Sequence, residues 1–155
     1  MLELRSLQPA DAALVQQFVR DLSPSSRLER FFTPINELSP AQLLRITSGR
    51  GLSLAAVVGH EKIVGLAEYF RVRRDEVEFA VVVADDWQGQ GLGEQLLRAL
   101  LEHAGRAGVE RVGGVTRIGN RPMRALARKL GFDIARDEDP ELLRMQRATP
   151  LRVAG

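Results

Sequence analysis

Between Val81 and Leu97 the chain reads Val-Val-Val-Ala-Asp-Asp-Trp-Gln-Gly-Gln-Gly-Leu-Gly-Glu-Gln-Leu-Leu, and few folds accommodate such a run. A β-branched apolar stretch halts at Asp85-Asp86, glycines follow at 89, 91 and 93, and leucines then recur at helical spacing. The order is strand, tight loop, helix. A glycine-rich loop that opens a helix turns several backbone N–H groups outward at the positive end of the helix dipole. The missing side chains let an anion come close. The segment therefore predicts a phosphate cradle.

Spacing excludes two familiar cradles. The dinucleotide fingerprint G-x-G-x-x-G needs glycine where Leu96 stands, and the P-loop needs Gly-Lys-Ser/Thr where Gly93 is followed by Glu94. What remains is Gln88-x-x-Gly91-x-Gly93.

Length and composition narrow the rest. A chain of 155 residues, 45% hydrophobic, is of a size to form one domain around a sizeable core; the expected extent is residues 1–148, with 149–155 as a tail. No apolar run approaches a membrane span and no basic-then-apolar leader opens the chain, so the expectation is a cytoplasmic protein with no membrane partner. Without cysteine, and with only His60 and His103 as histidines, it has no thiol nucleophile and no evident metal site. The net charge of +2 is small, and the arginines are spread along the chain rather than gathered in a stripe. That pattern argues against a nucleic-acid partner. The excess of arginine fits anionic ligands.

Leu2 to Leu7 alternates as a strand, and a helix with Pro9 in its first turn carries Ala12, Leu14, Val15, Phe18, Val19 and Leu22. Short helices are expected from Arg27 to Phe32 and, capped by Ser39-Pro40, from Ala41 to Thr47. Leu52 to Val58, Lys62 to Arg73 and Asp75 to Ala84 read as an antiparallel meander turned at Gly59-His60-Glu61 and at Arg74-Asp75. A helix from Gly91 to Ala107 buries Leu92, Leu96, Leu97, Leu100, Leu101 and Ala104. A strand from Glu110 to Thr116, a helix from Arg121 to Leu130, and β structure at Phe132–Ala135 and Leu142–Gln146 complete the chain. A right-handed crossover would place the third meander strand parallel to the Arg111 strand, beside the cradle.

A second block, Asn120-x-x-Met123-x-x-Leu126-Ala127-x-x-x-Gly131-Phe132, joins the loop in a pattern that resembles the GNAT superfamily of acetyl-CoA-dependent N-acyltransferases. The likeness runs from Leu4 to about Met145. Two stretches, Leu22–Phe32 and Asn120–Phe132, are similar to the acetyltransferase domain of bacterial Pat-type protein lysine acetyltransferases. The resemblance implies an α/β fold with a mixed, mostly antiparallel sheet of six to seven strands flanked by helices, with one parallel pair at the acetyl-CoA site. It places the backbone of Val81, Val82 and Val83 along the pantetheine arm, the loop of Gln88, Gly89, Gln90, Gly91, Leu92, Gly93 and Glu94 at the pyrophosphate, and Asn120 near the pantetheine end. No metal is implied.

An amine of the lysine type, with a pKa near 10.4, is the free base in only about one molecule in a thousand at neutral pH, a handicap of about 4 kcal/mol. A carboxylate beside the thioester would relieve it. Glu78 is the candidate base, with Glu68 in reserve, and a backbone N–H near Val81 would hold the developing oxyanion. Glu78 has another reading: a two-residue turn at Arg74-Asp75 would set Arg71 opposite it as an ion-pair partner. Many superfamily members carry a tyrosine seven residues after the block asparagine, to protonate the departing thiolate, and here that place is Ala127. Tyr69 reads as core, His60 and His103 as solvated, and Trp87 as a cover for loop or core. Arg124, Arg128 and Lys129 are candidates for the adenosine 3′-phosphate or simply a charged helix face. By resemblance the acceptor is a protein lysine, with a small-molecule amine as rival and a non-catalytic acyl-CoA sensor as a further alternative. The assembly is open between monomer and homodimer.

Overall fold

The computed structural model describes residues 1–48 and 51–150. Serine and proline start two of the N-terminal helices. Ser23 Oγ accepts the Ser26 amide at 3.1 Å, so α2 (Pro24–Phe31) begins at Pro24 rather than at Arg27. Ser39 and Gln42 cap α3 (Pro40–Thr47) reciprocally. The preceding α1 (Ala12–Asp21) follows a short turn at Pro9–Asp11.

The strands are β1 (Leu2–Ser6), β2 (Leu52–Val58), β3 (Lys62–Arg73), β4 (Glu76–Val83), β5 (Arg111–Arg117), β6 (Asp133–Arg136) and β7 (Leu142–Ala148). They form one seven-stranded sheet in the order β1-β2-β3-β4-β5-β7-β6. Every neighbouring pair is antiparallel except β4 and β5, which run parallel as expected. Helix α4 (Leu92–Arg106) makes the crossover between them, and α5 (Arg121–Lys129) lies between β5 and β6.

Alternation along the strands divides the core between the two faces of the sheet. On one face Ala56, Val64, Ala67, Val77 and Val112 meet Leu92, Leu96, Leu97, Leu100, Leu101 and Ala104 of α4, all buried as their spacing predicts. On the other, Ala55, Val57, Ile63, Leu66 and Val82 meet Val15, Phe18 and Val19 of α1 and Ile46 of α3. Thr149 is buried and still bound to β5's approach, its amide donating to the Glu110 carbonyl at 2.9 Å. Residues 151–155 of the expected tail lie outside the described residues.

Two details of register position the site. The turn at Arg74-Asp75 forms, but an irregularity between Arg71 and Arg73 shifts the ladder by one residue, so Glu78 faces Phe70 and Arg71 faces Val77. A bulge inserts one unpaired residue and moves every side chain beyond it. The expected Arg71–Glu78 pair is therefore absent, and the Arg71 guanidinium donates instead to the Arg74 carbonyl.

The second detail is where β4 and β5 part. They pair only at Glu76–Arg111, Val77–Val112 and Glu78–Gly113, whereas β4 stays with β3 as far as Val83 and β5 stays with β7 as far as Arg117. Just past the last pair, the ring of Phe79 lies over Gly114, where a Cβ would come within 2.7 Å of it. Phe132 holds that ring from behind, at 5.3 Å between centroids. Gly114→Val should therefore cost about 1–3 kcal/mol in urea unfolding, as overpacking does; an unchanged midpoint would show that the Phe79 ring has room to move.

Candidate functional site

The glycine loop leaves the C-terminal end of β4 through a short turn at Asp85–Trp87. Gly89 and Gly91 then adopt φ of 76° and 85°, the left-handed region that a side chain disfavours. Alternation of this kind turns successive N–H groups into a concavity. The Gln88 amide donates to the Asp85 carbonyl at 3.3 Å, but among the described residues the amides of Gly89, Gln90, Gly91, Leu92, Gly93 and Glu94 meet no acceptor at hydrogen-bond distance. The last three belong to the first turn of α4, where no intrahelical acceptor exists.

The opening between β4 and β5 leads into a cleft of about 1010 Å³, walled by Val81–Val83, by Val115 and Thr116, by Asn120, Met123 and Leu126, and by Ser26 and Glu29 of α2. Ala84 donates its amide to Val64 on β3 at 2.8 Å. By the alternation of an antiparallel ladder, Val82 then faces β3, while Val81 and Val83 present their backbone groups to the opening. The Val83 carbonyl indeed accepts the Gln88 side-chain amide at 3.0 Å.

That side chain also ties the loop to α2. Gln88 Nε2 donates to Ser26 Oγ at 3.1 Å, and the Asp85 carboxylate accepts from the Ser23 amide at 3.0 Å, from Ser23 Oγ at 2.7 Å and from Ser26 Oγ at 3.0 Å. Desolvation opposes the Asp85 charge, but these donors together outweigh it and hold the carboxyl below its ordinary range.

On the α2 side of the sheet each carboxylate of the cleft has a basic partner. Glu78 Oε1 accepts from Arg144 of β7 at 2.8 Å, reaching across β5 at Gly113, and Arg144 Nε lies 3.3 Å from Asp137. Desolvation works against the Arg144 charge, yet Glu78 and Asp137 together raise its pKa. Glu78 Oε2 has no protein partner among the described residues. Glu68 is engaged by Arg30, and Glu29 by Arg117 at 3.2 Å. Burial lowers the Arg30 pKa, against the pull of Glu68 and with the push of Arg45.

A family model described as acetyltransferase (GNAT) family matches residues 16–132. The chain belongs to that family. It is 37% identical over 143 residues to the acetyltransferase PA5475 of Pseudomonas aeruginosa, covering 88% of this chain and 77% of that protein. It is also 39% identical over 79 residues to an L-methionine sulfoximine/L-methionine sulfone acetyltransferase of Pseudomonas aeruginosa, an alignment spanning only 48% of the chain and 46% of the relative. Among solved structures the fold is similar to the GNAT domain of S. lividans PAT, with a TM-score of 0.89 at 24% identity over 95% of this chain and 90% of that one. It is similar too to yncA of Salmonella typhimurium with its cofactor acetyl-CoA, with a TM-score of 0.78 at 21% identity over 99% and 96%. As a GNAT member the chain is an acetyl-CoA-dependent N-acetyltransferase.

The cleft brings together Glu78, Glu68, Val81–Val83, Gln88, Gly89, Gly93 and Asn120. Asn120 is also the cap of α5, its Oδ1 accepting the Met123 amide at 3.2 Å. Ala127 is fully buried in the core. Tyr69 is core as expected, but its hydroxyl meets His103 Nδ1 at 3.0 Å, so His103 is not merely solvated. Burial pushes the Tyr69 phenol up, with Arg71 opposing. Trp87 packs against the α4 side of the core. Of the helix cations, Lys129 pairs with Glu94 at 2.7 Å and Arg124 donates to the Ile118 carbonyl at 3.0 Å.

Arg144, Asp85 and Ser26 escaped sequence reasoning. The first depends on a register across three strands that no local signal encodes; Asp85 stood in plain view, but its partners lie some sixty residues earlier. Asp85→Ala should remove a cap-like anchor and lower stability by about 1 kcal/mol at neutral pH. Because the folded-state pKa is depressed, that stabilisation is present above the unfolded carboxyl's pKa and is lost as pH falls through the folded one. Urea midpoints of wild type and variant should therefore converge in acid; a constant gap would mean that the charge is irrelevant.

Proposed function

We propose that the acetyl group goes to the side-chain amine of a protein lysine, by direct attack in a ternary complex, with Glu78 taking the proton. The acetyl-CoA half of this reading is supported by unengaged loop amides beside an opened sheet edge in one continuous cleft, and the lysine half by the resemblance of Leu22–Phe32 and Asn120–Phe132 to Pat-type lysine acetyltransferases. Gly89 to Glu94 would hold the diphosphate of acetyl-CoA at the N-terminus of α4. The backbone of Val81 and Val83 would bind the pantetheine amides as an added strand does, once the Gln88 side chain yields the Val83 carbonyl. Asn120 lines the same slot.

The chemistry needs a proton acceptor and an oxyanion donor. With Oε1 fixed by Arg144, Glu78 has one oxygen, Oε2, to accept the amine proton, directly or through a water. The Val81 amide, on the open side of β4, is the donor for the oxygen that develops negative charge. Glu68 is a weaker choice because Arg30 engages it. No tyrosine stands at Ala127, so the thiolate takes its proton from water or from the conjugate acid of Glu78.

A small-molecule amine is the second reading, favoured by the partial match to a methionine sulfoximine acetyltransferase. Lysine peptides and free amines compared by thiol release decide between them, and the reagent reads only coenzyme A because the chain has no cysteine. Acetyl-CoA at 100 times its dissociation constant should add about 2.7 kcal/mol of stability. Glu78→Gln should keep this thermal shift, since the amide oxygen can still accept from Arg144, yet lose ten-fold or more in turnover at neutral pH, a general base contributing typically about 10²–10⁴-fold. An unchanged pH–rate profile in the variant would remove Glu78 as the base.

A further inference from the structure

The charged side chains lining the cleft are Glu29, Arg30, Arg45, Glu68 and Glu78. Glu29 is matched by Arg117, Arg30 and Glu68 by each other, and Glu78 by Arg144. Arg45, exposed on α3, has no acidic partner among the described residues. It lies close enough to Arg30 for the two charges to repel. Each carboxylate in the cleft thus has a cation beside it, and the one charged side chain there with no opposite charge among the described residues is the Arg45 guanidinium, which calls for an anion.

The same rim is apolar beside that charge. Phe70 is 51% exposed and sits directly across the ladder from Glu78, on the same face of the sheet. Phe32 is 41% exposed and ends α2 in the left-handed conformation, φ 62°, two residues after Arg30. Phe32 and Phe70 thus line the same cleft as the Arg30–Glu68 pair and the proposed base. Large aromatic side chains left open at the mouth of a cleft mark a contact surface for a hydrocarbon group.

We propose that Arg45 selects the acceptor by binding a carboxylate on it, while Phe32 and Phe70 receive the methylene stem that carries the amine toward Glu78. The substrate class is then a lysine side chain with an acidic residue beside it in the peptide. This rests on the lysine reading above and deepens it. Neither aromatic touches the reacting atoms; both act by holding the stem, and Arg45 acts on affinity alone.

The test is a set of matched lysine peptides, flanked by glutamate, glutamine or arginine, assayed by coenzyme A thiol release with wild type, Arg45→Met and Arg45→Glu. Wild type should favour the glutamate-flanked peptide in kcat/KM through KM. Arg45→Met should erase that preference, and Arg45→Glu should shift it by roughly five- to ten-fold toward the arginine-flanked peptide, as reversal of a partly exposed charge pair does. The thermal shift with acetyl-CoA should stay the same in both variants, since Arg45 belongs to neither the loop nor the sheet edge. Equal losses on all peptides, or no flank preference in wild type, would overturn the role of Arg45. If no peptide is acetylated but small amines are, the lysine reading falls instead; Arg45 is then tried on an amine bearing a free carboxylate against its amide, where indifference would overturn its role too.

Discussion

The arrangement depends on a sheet that opens in its interior. Backbone N–H and C=O groups are obligatory hydrogen-bonding groups, and a central strand that abandons its neighbour leaves a row of them facing a gap. Here β4 does so after Glu78, while remaining fully paired to β3. The Phe79 ring over Gly114 occupies the fork, and Gly89 and Gly93, at the start of α4, line the same cleft as Val81–Val83. On the reading proposed above, an extended chain of amides ending in a diphosphate would satisfy both sets of groups at once.

The loop is not an isolated anion site. Asp85 and Gln88 bind it to Ser23 and Ser26 at the head of α2, and α2 carries Glu29 and Arg30 to the opposite wall of the cleft. That wall of the cleft is thereby fixed to the glycine loop. Gln88 bridges the Val83 carbonyl and Ser26, so occupation of the sheet edge by an amide would be felt at α2 through a single side chain.

The fold was legible wherever it rests on local patterns. The leucine spacing of α4, the alternation of the meander and the serine-proline caps each give an element with its correct face, and the loop glycines at 89 and 91 have the backbone geometry their spacing suggested. Register was not legible. One extra residue near Val72 replaces Arg71 by Phe70 as the neighbour of Glu78, and the true ion partner, Arg144, comes from a strand two places away. Likewise, His103 on the outer side of α4 gave no hint of Tyr69, because helix and strand meet only in the folded chain. Side chains that depend on pairing across the sheet carry no mark in the sequence near them.

On the function proposed above, the loop amides and the free edge of β4 form one binding surface. Backbone amide resonances followed while acetyl-CoA is added address it most directly. Large shifts and slowed exchange are expected at Gly89 to Glu94 together with Val81, while pantetheine, which lacks the diphosphate, is expected to move Val81 and leave the loop alone. Saturating acetyl-CoA that leaves the loop amides unmoved would contradict it.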